Sequence, residues 1–271
     1  MAEPLPPPSA CLVSGVRHDD GEHEACLGLV HALRSQHFDV SAMTPLVSDG
    51  TCRPGRRASR ELQRLADASS IAWPVSALCP YPLPMAQSPA EAARLAGVQV
   101  DPDVVMDAVQ VLSTWSDIVV VQGAGGLAAP LGAAITLGNL AAHLRLPLVL
   151  ALRPARDGES RAREAVAQAQ ATGLHIVAWV ATPTGDEPGS LMGRIARMQA
   201  ILDDVPYLGS LTQHDQFDAE ATIAGRTLDA PRLVATLRAA LSQASGSRTA
   251  QLQSSWRAPE SGTRRDTGTP E

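Results

Sequence analysis

The segment His18-Asp19-Asp20-Gly21-Glu22-His23-Glu24 concentrates imidazole and carboxylate groups in one short stretch of the chain. Histidine and carboxylates together suit Zn²⁺ and other divalent ions. The same residues are also typical of a solvent-exposed acidic helix start, where carboxylates face the positive end of the helix dipole. We prefer the second interpretation and expect no metal here.

A second segment, Gly123-Ala124-Gly125-Gly126, ends the apolar run Asp117–Gln122. Glycines at this point allow a ligand to approach the backbone closely, or they form only a tight turn. The carboxyl ends of strands in open α/β sheets face the ligand crevice. The first interpretation therefore predicts a small-molecule pocket at these glycines, and the second requires none.

Two arginine clusters carry groups that can bind a carboxylate or a phosphate. The first comprises Arg153, Arg156, Arg161 and Arg163, and the second comprises Arg53, Arg56, Arg57 and Arg60. Acidic residues are interleaved with the first cluster, at Asp157, Glu159 and Glu164. We therefore interpret it as a solvated, ion-paired surface.

Lysine is absent from the 271 residues, because all 22 Lys and Arg residues are arginine. The net charge of -6 gives no support for a nucleic-acid partner. No apolar run approaches the ~20 residues that span a bilayer, and Met1–Pro8 lacks the basic start of a signal peptide. The four cysteines show neither metal spacing nor a disulfide framework. We expect a cytoplasmic protein without a membrane partner.

The elements that must position these residues alternate between strands and helices. Continuous apolar runs predict buried parallel strands at Cys11–Gly15, Asp117–Gln122, Leu148–Leu152 and Ile176–Val180, with further strands at Phe38–Met43 and Tyr207–Leu211. Helices are predicted at Glu24–Gln36, Ser59–Ala68, Ser88–Leu95, Asp101–Thr114, Glu159–Ala171, Leu191–Leu202 and Asp229–Leu241. This alternation predicts an α/β fold, a parallel sheet with helices on both faces.

The composition divides the chain into three parts. Residues 1–9 are a proline-rich extension, residues 10–242 form the α/β domain, and residues 243–271 are predicted to be a disordered tail with little to bury.

The order of several motifs resembles that of the dethiobiotin synthases. The motifs are Val13-Ser14-Gly15, Thr44-Pro45-Leu46-Val47-Ser48, Tyr81-Pro82-Leu83-Pro84, Ser88-Pro89-Ala90-Glu91-Ala92-Ala93, Gln122-Gly123-Ala124-Gly125-Gly126, Ala178-Trp179-Val180-Ala181-Thr182 and Tyr207-Leu208-Gly209-Ser210-Leu211. The resemblance implies a phosphate-loop α/β fold, a homodimer, and closure of a cyclic urea from a diamine, carbon dioxide and ATP.

The same resemblance identifies positions where this chain departs from the family. The family's phosphate loop falls on Gly15–His23, with both framing glycines, Gly15 and Gly21, retained. Its loop lysine falls on Glu22 and its second lysine on Thr44. Its Mg²⁺-binding threonine and strand-end glutamate fall on His23 and Gln122. Its adenine-contacting asparagine falls on Thr182, and another metal carboxylate falls near Arg60. Ser48, Gly123, Gly125 and Gly126 remain as candidate binding positions.

Glutamate in place of a loop lysine replaces a positive charge by a negative one. One unit pair at 4 Å is worth about 4 kcal/mol at an effective dielectric of ~20, so polyphosphate affinity falls by roughly 10³-fold or more. The loop still leads into a helix N-terminus, which attracts anions. We therefore hypothesise that a carboxylate of Asp19, Asp20, Glu22 or Glu24 caps the loop where a phosphate would bind.

The sequence predicts a divergent dethiobiotin-synthase-like protein that is impaired or inactive in ATP-dependent ring closure. It would have no catalytic residue and no cofactor, and it would act as a non-catalytic partner or regulator. Its own partner would be a second copy or a paralogue. The alternative is an active synthase that uses ATP, Mg²⁺ and diaminopelargonate, with arginines, including the Arg53–Arg60 cluster, replacing lysines. Whether the chain is an enzyme is left open by the sequence.

Overall fold

The computed structural model describes residues 9–18, 20–48, 59–133, 135–183, 188–211 and 227–255, with backbone only for 188–189 and 243–255. Asp19, Arg53, Arg56, Arg57, residues 1–8 and residues 256–271 lie outside this description. The predictions made for those residues therefore stay predictions.

Six parallel strands form the central sheet. In chain order they are β1 (Ala10–Ser14), β2 (Val40–Met43), β5 (Ile118–Gln122), β6 (Leu148–Leu152), β7 (Ile176–Ala181) and β8 (Tyr207–Ser210). Their order across the sheet is β2-β5-β1-β6-β7-β8. Two short strands, β3 (Leu46–Val47) and β4 (Tyr81–Pro82), pair in parallel as a separate ribbon. The predicted parallel α/β sheet is confirmed.

Helices connect these strands. They are α1 (Glu22–Ser35), α2 (Arg60–Ala68), α3 (Pro89–Ala96), α4 (Pro102–Ser113), α5 (Leu137–His143), α6 (Gly158–Thr172), α7 (Pro188–Leu202) and α8 (Ala230–Ser255), with a 3-10 turn at Val75–Ala77. Helix α5 was not predicted, because only seven residues carry it, but Thr136 and Asn139 form a capping box at its start. None of the described helices is both long and apolar enough to cross a membrane.

Helix α8 corrects the predicted boundary of the tail. It continues to Ser255, so residues 243–255 are helical rather than the beginning of a disordered segment. Alanine, glutamine, arginine and leucine in this stretch favour a helix, and the next proline is Pro259.

The core is aliphatic and consists mainly of Ala, Val and Leu side chains. Every residue of β1, β2, β5 and β6 is buried, which explains why these strands lack polar alternation. A fully buried Val or Leu side chain contributes about 1.5–3 kcal/mol to folding. Because the strands are parallel, their carboxyl ends meet at one edge. Gly15, Thr44, Gly123, Arg153 and Thr182 follow β1, β2, β5, β6 and β7 at that edge.

Candidate functional site

A cleft of about 910 Å³ lies at the carboxyl edge of the sheet. Ten positions were singled out as the candidate site from the sequence. Eight of them line the cleft: Gly21, Glu22, His23, Thr44, Ser48, Gln122, Gly123 and Gly125. Gly15 and Gly126 do not line it. Glu61 and Arg64 also line the cleft, although the sequence had given neither of them a role, and so does Arg153, which the sequence had named only within an arginine cluster.

Asp20 is fully buried at the centre of the β1–α1 loop. Its Oδ2 accepts hydrogen bonds from the backbone N–H groups of Val16 and Arg17, both at 2.9 Å. The loop therefore closes around a carboxylate of its own chain. Backbone N–H groups arranged in this way form the type of nest that binds anions.

The other oxygen of Asp20 faces helix α6. Oδ1 accepts a 2.7 Å hydrogen bond from Arg161 Nη1 and a longer one, 3.4 Å, from Arg153 N. The Arg161 side chain is only 8% exposed, so this is a buried ion pair. Removing one partner of such a pair costs far more than a surface pair contributes, because an uncompensated charge stays buried.

Arg161 corrects the interpretation of the first arginine cluster as a solvated surface. Arg156 and Arg163 are exposed, as expected. Arg161 instead turns inward, because a buried carboxylate 141 residues earlier in the chain pairs with it. Its Nε also donates to Asp157 Oδ2 at 3.0 Å.

Arg17 adds an outer layer to the same contact between the loop and helix α6. Its guanidinium pairs with Asp157 at 3.3 Å and with Glu164 at 3.0 Å. These groups are about 36–47% exposed, so each pair contributes little to stability. Within the predicted cluster itself, Arg161 forms an ion pair with Asp157.

Glu22, which the resemblance places at the family's loop-lysine position, is also buried. Its Oε1 accepts hydrogen bonds from Ser14 Oγ at 2.9 Å and from Gly15 N at 3.0 Å. Burial raises the pKa of the Glu22 carboxyl above its ordinary value of 4.5, and the Asp20 charge adds to this rise. Hydrogen bonds from Gly15, Ser14 and Gly125 oppose the rise only in part.

Together, Asp20 and Glu22 engage the N–H groups of Gly15, Val16 and Arg17. The hypothesis that carboxylates of this chain cap the loop is confirmed for these two residues. Glu24 is exposed and has no such role. The preferred interpretation of residues 18–24 as a solvated helix start is wrong for Asp20 and Glu22, because the loop N–H groups and Arg161 draw both carboxylates inward.

Two glycines serve the packing of this loop. A Cβ on Gly15 would lie 2.3 Å from Asp20 Cβ, and one on Gly126 would lie 2.2 Å from the carbonyl oxygen of Val16. Gly126 also has a φ of +96°, which side chains rarely adopt. The turn interpretation therefore holds for Gly126, whereas Gly123 and Gly125 face the cleft.

Thr182 holds the loop from the end of β7. Its hydroxyl donates to the carbonyl oxygen of Asp20 at 2.6 Å, and its side chain is buried. The family resemblance places an adenine-contacting asparagine at this position. In this chain the side chain instead stabilises the closed loop.

A second polar arrangement joins helix α1, β5 and helix α2. His23 Nδ1 lies 2.8 Å from Gln122 Oε1, and Gln122 Nε2 donates to Glu61 Oε1. Because the amide nitrogen faces Glu61, the amide oxygen accepts the hydrogen bond from Nδ1. His23 Nε2 is buried and has no hydrogen-bond partner among the described residues.

The two positions where the family resemblance implies metal ligands are thus occupied by His23 and Gln122, and these two side chains are hydrogen-bonded to each other. Among the described residues, no three His, Cys, Asp or Glu side chains converge as a metal site would require. At the second lysine position, the buried Thr44 Oγ1 donates to the carbonyl oxygen of Leu46 at 3.1 Å. Thr44 supplies no charge to the cleft.

Arginine supplies the cations of the cleft. Arg60, Arg64 and Arg153 line it, and Arg153 Nε is buried without a hydrogen-bond partner among the described residues. Glu22, Glu24 and Glu61 line the same cleft. The cleft therefore presents both signs of charge rather than the concentrated positive charge that a polyphosphate requires.

The fold and the glycine-framed loop at the sheet edge define a phosphate-loop α/β protein. A family model described as an AAA domain matches residues 9–221. Among solved structures, the septum site-determining protein MinD of Pyrococcus horikoshii, complexed with Mg-ADP, is 13% identical. That similarity covers 79% of this chain and 85% of MinD, with a TM-score of 0.44.

Curated relatives identify the particular family. An ATP-dependent dethiobiotin synthetase of Anaeromyxobacter dehalogenans is 35% identical over 65% of this chain and 77% of the relative. That of Ralstonia nicotianae is 27% identical over 77% of this chain and 91% of the relative. That of Xanthomonas axonopodis pv. citri is 29% identical over 81% and 97%. The chain belongs to the dethiobiotin synthetase family.

Proposed function

We propose that this family member is impaired or inactive in ATP-dependent closure of the ureido ring and acts as a non-catalytic partner or regulator. One observation carries the proposal. The buried carboxylates of Asp20 and Glu22 accept the hydrogen bonds of the loop N–H groups that a phosphate would otherwise receive.

Charge supports this proposal independently of hydrogen bonding. A phosphate placed at the loop would meet Asp20, and also Glu22 whenever that side chain is ionised, at short range. Each pair of like unit charges costs about 4 kcal/mol at 4 Å with an effective dielectric of ~20. Protonation of Glu22 removes one repulsion but still provides no cation. Lysine is absent from the whole chain, so no lysine from elsewhere compensates.

Metal binding in the family's manner also lacks its ligands. Mg²⁺ prefers oxygen ligands in octahedral geometry. His23 and Gln122 occupy the positions of the family's hydroxyl and carboxylate, and they bond to each other. A nucleotide bound here would therefore lack both the loop lysine and the metal that neutralise the transferred charge.

A non-catalytic role requires a partner, and the family resemblance supplies its form. We propose a homodimer or a heterodimer with a paralogue of this family. The mass in solution, measured by light scattering with the chain alone and then mixed with the paralogue, tests this part. A monomer under both conditions contradicts it.

The catalytic part is tested with the purified wild-type protein. We expect calorimetry with ATP and Mg²⁺ to give no heat of binding, and we expect no dethiobiotin from diaminopelargonate, bicarbonate and ATP. The Ralstonia nicotianae relative, assayed in parallel, is the positive control. Turnover by this chain at the rate of that relative would refute the proposal.

The position of Arg153 favours a second candidate function, an active synthase with an arginine-based site. Its half-buried guanidinium lines the cleft, and its Nε lacks a partner among the described residues. Guanidinium groups can bind phosphate oxygens in a bidentate manner. If the wild-type protein turns over, Arg153→Ala is expected to reduce kcat/KM by about 10²-fold or more. An unchanged kcat/KM would exclude Arg153 from the reaction.

A further inference from the structure

We propose that Asp20 and Arg161 form an autoinhibitory latch, in which Asp20 is the internal ligand of a loop that can otherwise hold an oxyanion. Removing this one carboxylate would allow inorganic phosphate to bind. The proposal rests on the proposed function, since it takes the closed loop as the reason why phosphate is excluded from the wild-type protein.

The donors around Asp20 are those that oxyanions bind. Val16 N and Arg17 N converge on Oδ2, and Arg161 Nη1 and Arg153 N converge on Oδ1. Three are backbone N–H groups and one is a guanidinium, so all four donate and none accepts. An arginine that meets an anion in this way forms charge-assisted hydrogen bonds, which are the stronger kind.

These donors should stay in place when the carboxylate is removed. Arg161 Nε is held separately by Asp157 Oδ2 at 3.0 Å. The backbone of residue 20 is held by two further bonds, from Thr182 Oγ1 to its carbonyl oxygen and from its own N–H to the carbonyl oxygen of Arg17. Alanine retains both backbone groups and also the Cβ that packs against Gly15.

An empty loop of this kind is an unfavourable state. Buried donors that lose their acceptor pay the full cost of lost hydration, and Arg161 loses its buried counter-charge. Bound phosphate restores acceptors to the same groups and supplies the negative charge. Binding therefore couples to folding, and phosphate should stabilise the variant but not the wild type.

The experiment compares wild-type protein and Asp20→Ala, each titrated with inorganic phosphate against sodium chloride of equal ionic strength. Thermal unfolding and calorimetry are the two readouts. We expect Asp20→Ala to bind phosphate on the order of 100-fold more tightly than the wild type, because a buried like charge is removed. We also expect Arg161→Ala in the Asp20→Ala background to abolish this gain.

Glu159→Gln is the matched control. It removes another carboxylate from the first turn of α6, one that pairs with Arg197 and does not contact the loop. We expect no gain of phosphate binding in this control. A gain of the same size there would overturn the latch, because it would reflect the change of net charge alone.

A folded Asp20→Ala protein that phosphate does not stabilise beyond the chloride control would also overturn the latch. If alanine prevents folding, Asp20→Ser, which also removes the carboxylate and leaves room for an anion, is titrated in the same way, and the same two outcomes decide. Turnover by the wild-type protein at the rate of the Ralstonia nicotianae relative would refute the proposed function, whereas the phosphate titration of the variant decides the latch separately.

Discussion

The carboxyl edge of the sheet has two parts, the β1–α1 loop around Asp20, called the loop side, and the cleft next to it, called the cleft side. Their buried polar groups differ in whether they have hydrogen-bond partners. On the loop side, Asp20 and Glu22 accept bonds from the chain itself, and Arg161 completes the arrangement. On the cleft side, His23 Nε2 and Arg153 Nε are buried without a hydrogen-bond partner among the described residues. Buried polar atoms without partners are rare in folded proteins. The loop that the family resemblance assigns to phosphate is thus occupied by carboxylates of this chain, whereas the neighbouring cleft retains hydrogen-bonding groups without partners among the described residues.

The largest expected effect lies on the loop side. Arg161→Ala leaves the fully buried Asp20 carboxylate without its charged partner, and we expect a loss of about 3–5 kcal/mol in the free energy of unfolding. Urea denaturation at neutral pH measures this loss. Arg163→Ala, an exposed change in the same helix, should alter stability by no more than about 0.5 kcal/mol. Equal effects from the two variants would show that the Asp20–Arg161 pair is not what holds the loop closed.

A smaller effect concerns Glu22 and pH. Its folded-state pKa is raised, so the proton it binds stabilises the fold below pH 4.5, and this contribution is lost as pH rises through the raised pKa. Glu22→Gln keeps an acceptor oxygen but does not titrate. It should therefore gain stability relative to the wild type as pH rises above 4.5, by about 1.4 kcal/mol for each pH unit up to the raised pKa of Glu22. Denaturation curves collected from pH 4 to about pH 8 measure the difference.

Glu24→Gln provides the control for this pH effect, because Glu24 lies on the same helical turn and is exposed. As a substitution of an exposed residue, it should alter the free energy of unfolding by no more than about 0.5 kcal/mol. A difference for Glu22→Gln that stays constant over the pH range would contradict the assignment of a buried, destabilised carboxylate to Glu22.

The smallest effect is expected on the cleft side. Arg153→Ala removes a guanidinium whose Nε has no partner, while its backbone N–H can still donate to Asp20. The free energy of unfolding should change by no more than about 0.5 kcal/mol. A loss comparable to that of Arg161→Ala would show that Arg153 also stabilises the fold. The two sides would then not differ in their contribution to stability.

The sequence predicts the sheet well, because buried parallel strands are continuous apolar runs that local composition reveals. It also predicts that a carboxylate would cap the loop, since a glutamate at a lysine position next to aspartates has an obvious electrostatic consequence. It cannot select Asp20 among the candidates, because that choice depends on where the loop N–H groups point.

Other parts of the site escape sequence reasoning for a related reason. Arg161 sits among exposed arginines and alternating charges, so nothing local distinguishes it from a surface residue. Glu61 enters the site through a bond to Gln122, 61 residues later in the chain. Contacts between such distant side chains are set by the packing of helices against the sheet, which a single sequence does not display.

The distance along the chain between Asp20 and Arg161 also constrains the order of events during synthesis. Domains fold as they emerge from the ribosome, with the N-terminal part first. The loop and its aspartate emerge long before Arg161, and the buried charge cannot be compensated until β6 has joined β1 and the first turn of α6 has formed. A nascent chain that ends before residue 161 therefore lacks the buried counter-charge of Asp20, and this ion pair can form only after β6 has joined the sheet.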